Sequence, residues 1–251
     1  MIAGQIASYR LPLAVAVLIL LLGWEVAQPF FGTFTRGPGS FKRRGLNAAI
    51  NLGLGLLNAA VVAAVFVKLW AMTTTLTEAH AFGLLHWIPA LGSWRWPLAL
   101  LLLDVWTYAW HRLNHVWPFL WRFHRLHHSD REMNVTTANR FHLGEIVLSS
   151  LLRVPLLALL GVRLEELAVY ETALFAVVQF HHANIRLPES LDRVLRCVIV
   201  TPYLHKVHHS VVRIEADSNF SSLFSWWDRL FRTFRLSRDP RRIVFGVDEN
   251  R

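Results

Sequence analysis

The chain of 251 residues is poor in charge and almost without cysteine. Only 17% of its residues are charged, against about 25% in an ordinary soluble domain, and Cys197 is its single cysteine. One cysteine excludes an intrachain disulfide and any metal site built on several thiolates. The scarcity of charge, together with 54% hydrophobic residues and a positive mean hydropathy, indicates membrane spans.

Two common metal motifs are missing as well. The chain has neither the Glu-x-x-His ligands of carboxylate-rich di-iron bundles nor the HExxH of zinc proteases. It carries instead 13 histidines and a formal charge of +9. The basic residues lie mostly between apolar runs and in the C-terminal third. We therefore assign them to membrane topology and lipid contact, and expect no nucleic-acid binding.

Four apolar stretches predict about four membrane spans. They cover residues 11–31, 46–72 and 97–110, with a helical hairpin over 145–179 that either crosses the membrane or enters it less deeply. The first two flank a short basic loop, 36–44, which the positive-inside rule places in the cytoplasm. This orientation brings residues 111–143 and the segment after 186 to the cytoplasmic side.

Two segments are predicted to lie at the membrane surface. Residues 79–96 mix two histidines with proline, glycine and three tryptophans, which predicts an interfacial or a re-entrant piece. Residues 225–234 mix large apolar side chains with Asp and Arg, which predicts an amphipathic helix in the interface. Asn47, Asn51 and Asn58 recur near helical periods in the second span, which predicts hydrogen bonds between helices.

The expected fold is an all-α, integral membrane helical bundle with a histidine-rich helical cap on the cytoplasmic side. We divide it into N-terminal spans with an interfacial segment (1–96), a histidine-rich domain (97–235) and a C-terminal tail (236–251). No internal repeat is visible, and we expect no fused second domain.

Three histidine motifs carry the chemistry. They are an HxxxH at His111 and His115, an HxxHH at His124, His127 and His128, and an HxxHH at His205, His208 and His209, with a His181–His182 pair between them. Helical residues three or four apart share a face, with Cβ atoms about 5–6 Å apart, so each motif can chelate. The motifs offer more imidazoles than one ion can bind, which predicts two metals. Neutral imidazole suits Fe, Zn, Cu or Ni, and spacing alone does not choose among them.

In this order, the motifs resemble those of the fatty acid hydroxylase and sterol desaturase superfamily of membrane di-iron enzymes. The likeness extends over about residues 97–235 and includes flanking residues. These are Leu103-Asp104, Arg140-Phe141-His142 with Glu145, Phe180-His181-His182-Ala183-Asn184, Asp217-Ser218-Asn219-Phe220 and Trp227-Asp228-Arg229-Leu230-Phe231.

The resemblance implies a centre of two iron ions, molecular oxygen as oxidant and electrons from a separate donor, such as a ferredoxin or a haem electron carrier with its reductase. Position by position, it implies ligation by the motif histidines and His182, with His181 and His142 as further candidates. The metal candidates are His111, His115, His124, His127, His128, His142, His181, His182, His205, His208 and His209.

Three carboxylates are candidates for orienting the ligand histidines, whose other N–H usually donates to a carboxylate or a carbonyl. Asp104 lies two helical turns before the first motif histidine, in an apolar run where an acid without a partner is costly. The alternative role for Asp104 is a structural hydrogen bond. Glu145 and Asp228 are weaker candidates of the same kind. Asp228 can equally pair with an arginine.

The predicted function is hydroxylation or desaturation of a lipid (a sterol, a fatty acyl chain or a related lipid) that enters from the bilayer. The active site is expected on the cytoplasmic side of a multi-pass protein, in a bacterial inner membrane. The alternative is a non-catalytic metal-binding membrane protein, either a transporter or an assembly factor. A transporter would need ligands near the middle of the membrane, whereas these motifs lie at its predicted cytoplasmic edge.

Overall fold

Helices make up most of the computed structural model, which describes residues 2–32 and 40–248. Helix accounts for 72% of it, and no strand forms within this part of the chain. The all-α prediction is confirmed. The predicted basic loop at 36–44 falls partly outside the described residues.

Twelve α-helices follow one another along the described residues. They are α1 (Ile2–Ala27), α2 (Ser40–Val61), α3 (Val67–Ala79), α4 (Leu84–Trp87), α5 (Arg95–Val116), α6 (Pro118–His128), α7 (Leu143–Leu160), α8 (Leu164–His182), α9 (Glu189–Leu195), α10 (Pro202–His208), α11 (Arg213–Ala216) and α12 (Trp226–Leu230). A π-helical turn, Val62–Phe66, joins α2 to α3 without a break.

Two helical segments are long and apolar enough to cross a membrane, judged by length and composition. In the described residues these are Ser40–Trp87 and Leu143–Leu160, with hydropathies of 2.2 and 1.9 in their most apolar windows. Many of their large apolar side chains face outward, Leu56 and Leu151 among them. Pro12–Ala27 is a shorter apolar helix. Four spans were predicted, and two segments meet this measure.

A buried ion pair fixes the ends of α5 and α8 to the turn between α7 and α8. Arg95 Nε donates to Glu166 Oε1 over 2.8 Å, and its other nitrogens donate to the carbonyls of Leu85 and Gly161. Gly161 ends α7 in the left-handed conformation, with φ of 67°. A Cβ on the facing Gly83 would lie 2.4 Å from the Gly161 nitrogen, so no side chain fits there.

The first two helices are tied to the histidine-rich domain, residues 97–235, by polar side chains. Glu25 accepts the backbone N–H groups of Val135 and Asn184. Asn51 donates to Asp130 Oδ2 over 3.0 Å and to Thr136 Oγ1 over 3.0 Å. The asparagine predicted to join two helices therefore holds the loop that follows the second motif.

The C-terminal segment packs against the domain through short elements. Residues 225–234 were predicted as an interfacial amphipathic helix, but only α12 is helical there. Its Asp228 is buried and accepts the backbone N–H groups of Phe220 and Ser221 over 2.8 and 3.0 Å. Because this side chain bonds inward, the segment serves to fix the loop at residues 218–221.

Candidate metal centre

Four helix ends carry the histidines. The HxxxH lies in the last turns of α5, the two HxxHH motifs close α6 and α10, and the His181–His182 pair closes α8. The C-terminus of a helix bears a partial negative charge that stabilises a nearby cation by about 0.3–1 kcal/mol. Convergence of four such ends favours positive charge at their meeting point.

The histidines gather into two groups, each with ligand nitrogens within 4.8 Å of one another. The first histidine group is His111, His115, His124, His128 and His208; the second histidine group is His127, His182, His205 and His209. Nearly all of these side chains are buried. Together they contain all eight motif histidines and His182.

Each HxxHH motif divides between the two groups. His124 and His128 belong to the first histidine group, and His127 to the second. The other motif mirrors this division, because His205 and His209 belong to the second histidine group and His208 to the first. Residues four apart thus fall in one group and could chelate one ion, while the residue between them belongs to the other group.

The two groups adjoin. The rings of His128 and His209, one from each group, stack with centroids 4.3 Å apart and an angle of 15°. His205 and His208 also meet across the boundary, with centroids 5.1 Å apart. Two metals bound here would be neighbours.

The ring nitrogens suit metal binding better than hydrogen bonding to one another. Four Nε2 pairs lie at 3.0–3.1 Å: His111–His208, His127–His182, His182–His205 and His205–His209. Two ligands at right angles on one ion, with metal–nitrogen bonds of about 2.1 Å, are about 3.0 Å apart. Both nitrogens of His128 and Nε2 of His124 are buried without a hydrogen-bond partner. Since buried polar atoms are normally satisfied, the donor set fits a pair of metal ions.

Burial also keeps these rings in the form that binds metal. Desolvation lowers the pKa of His127, His128, His205 and His209 well below the ordinary value of 6.5, and neighbouring imidazoles lower it further. An imidazole must be neutral to ligate. The groups are therefore predisposed to accept cations rather than protons.

Most rings of the first histidine group are anchored through their outer nitrogen. His111 Nδ1 lies 2.7 Å from the Phe220 carbonyl, and His208 Nδ1 lies 2.7 Å from the Ser218 carbonyl. His124 Nδ1 lies 2.9 Å from Glu145 Oε1. These acceptors fix the tautomer, so that Nε2 points to the centre of the group.

The second histidine group is held mainly by packing. Within the described parts of the chain, only His182 has such an anchor, with Nδ1 2.8 Å from the Val178 carbonyl. The Nδ1 atoms of His127, His205 and His209 have no hydrogen-bond partner among the described residues. His127 instead stacks on Phe141, with centroids 4.3 Å apart and an angle of 9°.

The three predicted orienting carboxylates take different positions. Glu145 contacts His124 directly. Asp228 acts at one remove, since it holds the backbone N–H of Phe220, whose carbonyl faces His111. Asp104 makes no hydrogen bond to a histidine among the described residues.

Asp104 instead fixes the C-terminal segment to α5. Its carboxylate accepts from the Trp227 indole over 2.7 Å, the Phe224 backbone N–H over 3.0 Å and the Tyr170 hydroxyl over 3.1 Å. Two turns along α5 place it beside residues 223–227 and out of reach of the imidazoles.

His181 and His142, the two further candidates, also differ. The His181 ring lies against that of His205, with centroids 3.9 Å apart, although His181 belongs to neither group. His142 lies outside both groups. It is the N-cap of α7, and its Nδ1 accepts the Gly144 N–H over 2.9 Å.

Sequence reasoning missed two buried charges near the centre. Lys206, between His205 and His208 on α10, donates to the Ala183 carbonyl over 2.7 Å, and burial lowers its pKa to about 7. Glu25 holds the backbone on either side of the same region. Glu25 could have been identified from the sequence as an acid in an otherwise apolar run. For Lys206 the only feature in the sequence is its position inside the third histidine motif.

A cavity of about 340 Å³ opens from the histidines between α5, α7 and α8. Its lining includes His111, His124, His127, His182 and His205. Most of its wall is apolar or aromatic, with Trp106, Trp110, Phe141, Ile146, Leu174, Phe175 and Val178. An apolar molecule placed there would lie against both groups.

The chain is similar to known lipid-modifying proteins. The family model described as fatty acid hydroxylase matches residues 96–233. Ornithine lipid hydroxylase OlsE of Rhizobium tropici is 30% identical over 61% of this chain and 47% of its own length. Alkylglycerol monooxygenase of Danio rerio is 30% identical over 64% of this chain and 34% of its own. Human cholesterol 25-hydroxylase is 28% identical over 63% of this chain and 62% of its own. The chain thus spans less than two thirds of each relative, and no solved structure matches it.

Proposed function

The chain belongs to the fatty acid hydroxylase family, and on that premise we propose that it is a membrane di-iron oxygenase that hydroxylates or desaturates a lipid. One observation carries the proposal: two adjoining, buried histidine groups form one end of an apolar cavity. The relatives named as lipid hydroxylases and monooxygenases support the substrate class and the use of oxygen.

The two histidine groups would each hold one iron ion. Such a pair, when bound, supplies the activation of molecular oxygen that attack on a C–H bond requires. Imidazole ligands suit iron. Glu145 and the carbonyls of Phe220 and Ser218 would keep the rings of the first histidine group aimed at their ion.

The cavity wall selects the carbon to be oxidised. Trp110 and Phe175 line it with large aromatic surface, which favours an alkyl chain and excludes water. The described lining contains no cysteine, so no thiol lies there to be oxidised in place of the substrate. The cavity therefore positions the substrate carbon and excludes water, which is what the protein contributes to chemistry carried out by a cofactor.

Electrons would come from a separate protein that docks on a basic surface. A second cavity, of about 430 Å³, is rimmed by Arg213, Arg232 and Arg235. Its lining includes Asp217 and Ser218, which face the outer nitrogens of ligands in the first histidine group. A basic rim favours an acidic donor such as a ferredoxin or a haem carrier.

In this proposal the chain is a multi-pass protein of a bacterial inner membrane, and its metal centre lies at the cytoplasmic edge. The two apolar segments support insertion. Lysine and arginine at the start of α2 support this orientation under the positive-inside rule. Cysteine-accessibility labelling of engineered sites on either side of α7 would report the orientation directly.

Metal content is the first test. Protein purified in mild detergent after expression with iron is expected to contain two irons per chain by elemental analysis, with a Mössbauer spectrum of coupled, nitrogen-ligated iron. With a reductant and oxygen, it should then convert a supplied lipid to a hydroxylated or unsaturated product. Zinc that iron cannot displace, or a single metal per chain, would contradict oxygen chemistry and favour a non-catalytic transporter or assembly factor.

A further inference from the structure

A charged pair lines the same cavity, far from the histidines. Arg153 on α7 and Glu171 on α8 both contribute to its wall, and Arg153 Nη1 lies 2.7 Å from Glu171 Oε1. The guanidinium also lies over the Trp70 ring, 4.9 Å from its centroid. Neither charged side chain is sealed off, since 18% and 22% of their surfaces remain accessible.

Several helical turns separate this pair from the metal groups. On α7, Arg153 follows Glu145, the partner of His124, by two turns; at 1.5 Å per residue this is roughly 12 Å. On α8, Glu171 precedes His182 by about three turns, or roughly 16 Å. The wall between the two ends carries Ile146, Leu174, Phe175 and Val178.

The pair is costly where it lies. α7 is one of the two segments apolar enough to cross a membrane, and a charge near the centre of such a helix costs roughly 2.5–3.5 kcal/mol. Packed apolar residues commonly replace an enclosed ion pair without loss of stability. A pair at a cavity wall keeps donors of the guanidinium and lone pairs of the carboxylate available to a ligand.

We propose that Arg153 and Glu171 bind the polar end of the lipid substrate, and that this end is a neutral hydroxyl or amide. A hydroxyl or an amide can donate to the carboxylate and accept from the guanidinium. A charged headgroup would remain uncompensated, because the two side chains already neutralise each other. The inference rests on the proposed function in one respect: the carbon to be oxidised lies at the histidine end, roughly 12–16 Å from the polar group.

Equilibrium binding of radiolabelled lipids to the metal-loaded protein in mild detergent tests this without turnover. The probes are hexadecanol, hexadecanamide, palmitate and hexadecane. Hexadecanol or hexadecanamide is expected to bind roughly tenfold or more tightly than hexadecane, as one or two charge-assisted hydrogen bonds would give. Palmitate should bind more weakly than the better of the two neutral probes. The choice between the alcohol and the amide identifies the group.

Two variants separate recognition from folding. The double variant Arg153→Leu/Glu171→Leu replaces the pair with apolar residues, should keep the melting temperature of the parent and should lose the preference for the neutral polar probes. Glu171→Gln, which barely changes the shape, should weaken the preference severalfold and serves if the double variant unfolds. Glu78→Gln is the matched control, because Glu78 pairs with Arg163 over 3.2 Å without lining this cavity. It should bind all probes like the parent.

The outcomes distinguish this inference from the proposed function. Equal binding of hexadecanol, hexadecanamide and hexadecane by the parent would overturn the inference even if the protein turns over lipid, and so would an unchanged preference in a folded double variant. A preference that depends on Arg153 and Glu171 in a protein without oxygen chemistry would support the binding site while removing the oxygenase.

Discussion

The two histidine groups are alike in composition and different in support. In the first histidine group, three rings are anchored by acceptors that the protein supplies: a carboxylate and two backbone carbonyls. In the second histidine group, His182 alone has such an anchor among the described residues, and stacking on other rings holds His127, His205 and His209. A ring that donates its outer N–H is both oriented and more basic. The first histidine group should therefore bind its metal more tightly.

The difference has a source in the chain. The loop at residues 218–221 lies against α5 and α10 and presents its carbonyls to the first histidine group. Asp228 fixes that loop from α12. The second histidine group lies between α6, α8 and α10, where neighbours are rings and helix backbone. Loops can aim a carbonyl outward, whereas most helical carbonyls are already bonded within the helix. The Val178 carbonyl near the end of α8, which faces His182 Nδ1, is an exception.

The largest expected effect comes from removing one ligand of either group. His208→Ala should abolish turnover and reduce bound iron to about one per chain. His209→Ala should also abolish turnover and leave the more tightly held ion of the first histidine group. Elemental analysis and Mössbauer spectra of both variants provide the measurement. His142→Ala, outside both groups, is the control and should keep two irons. Retained turnover in both ligand variants would contradict the assignment.

Local geometry within the histidine motifs could be predicted from the sequence. Spacing of three and four residues on a helix predicted chelating pairs, and the structure places the pairs four apart in the same group, such as His124 with His128 and His205 with His209. The same spacing rule did not decide whether the first histidine of each HxxHH pairs with the histidine three residues later or with the one four residues later. That choice depends on where the other helices lie, because the residue in between must find partners in the other group.

Contacts across the chain escaped prediction for the same reason. Asp104 lies on the expected face of α5, yet the segment at residues 223–227 reaches it and no histidine does. His142 resembles a ligand by its neighbours in sequence but begins a helix as its N-cap. Helical periodicity defines a face; it does not define what that face meets.

The next largest effect is expected from Glu145, the carboxylate that anchors His124 in the first histidine group. Glu145→Ala should weaken metal binding in the first histidine group by roughly 10- to 100-fold, as loss of a hydrogen-bonded partner of a ligand does. The second histidine group should change little. A competitive chelator titration followed by Mössbauer spectroscopy resolves the two ions. Glu132→Ala, at an outlying ion pair with Arg43, should titrate like the parent. Equal weakening of both ions would show that Glu145 acts on the whole domain.

A smaller effect on metal affinity is expected from Asp228, which acts on His111 through the backbone of Phe220. Asp228→Asn turns one of two acceptor oxygens into a donor that faces a backbone N–H of Phe220 or Ser221. Leaving a buried group unsatisfied costs about 1–3 kcal/mol, so the melting temperature should fall. The loop carbonyls should then hold His111 less firmly, and metal affinity of the first histidine group should drop by less than in Glu145→Ala. A fall in stability with no change in chelator sensitivity would limit Asp228 to folding.

The smallest effect tests whether stacking can replace an anchor in the second histidine group. Phe141 lies parallel to His127, whose Nδ1 has no hydrogen-bond partner in the described part of the chain. Phe141→Leu keeps the apolar contact but removes the flat surface, and an aromatic pair contributes about 0.5–1.5 kcal/mol beyond its buried area. The ion of the second histidine group should be removed at a chelator concentration up to about tenfold lower than in the parent. The concentration that removes the ion of the first histidine group should not change. If neither ion shifts, the neighbouring rings of His182 and His209 alone suffice to hold His127, and packing within the group supplies the orientation that hydrogen bonds supply in the other.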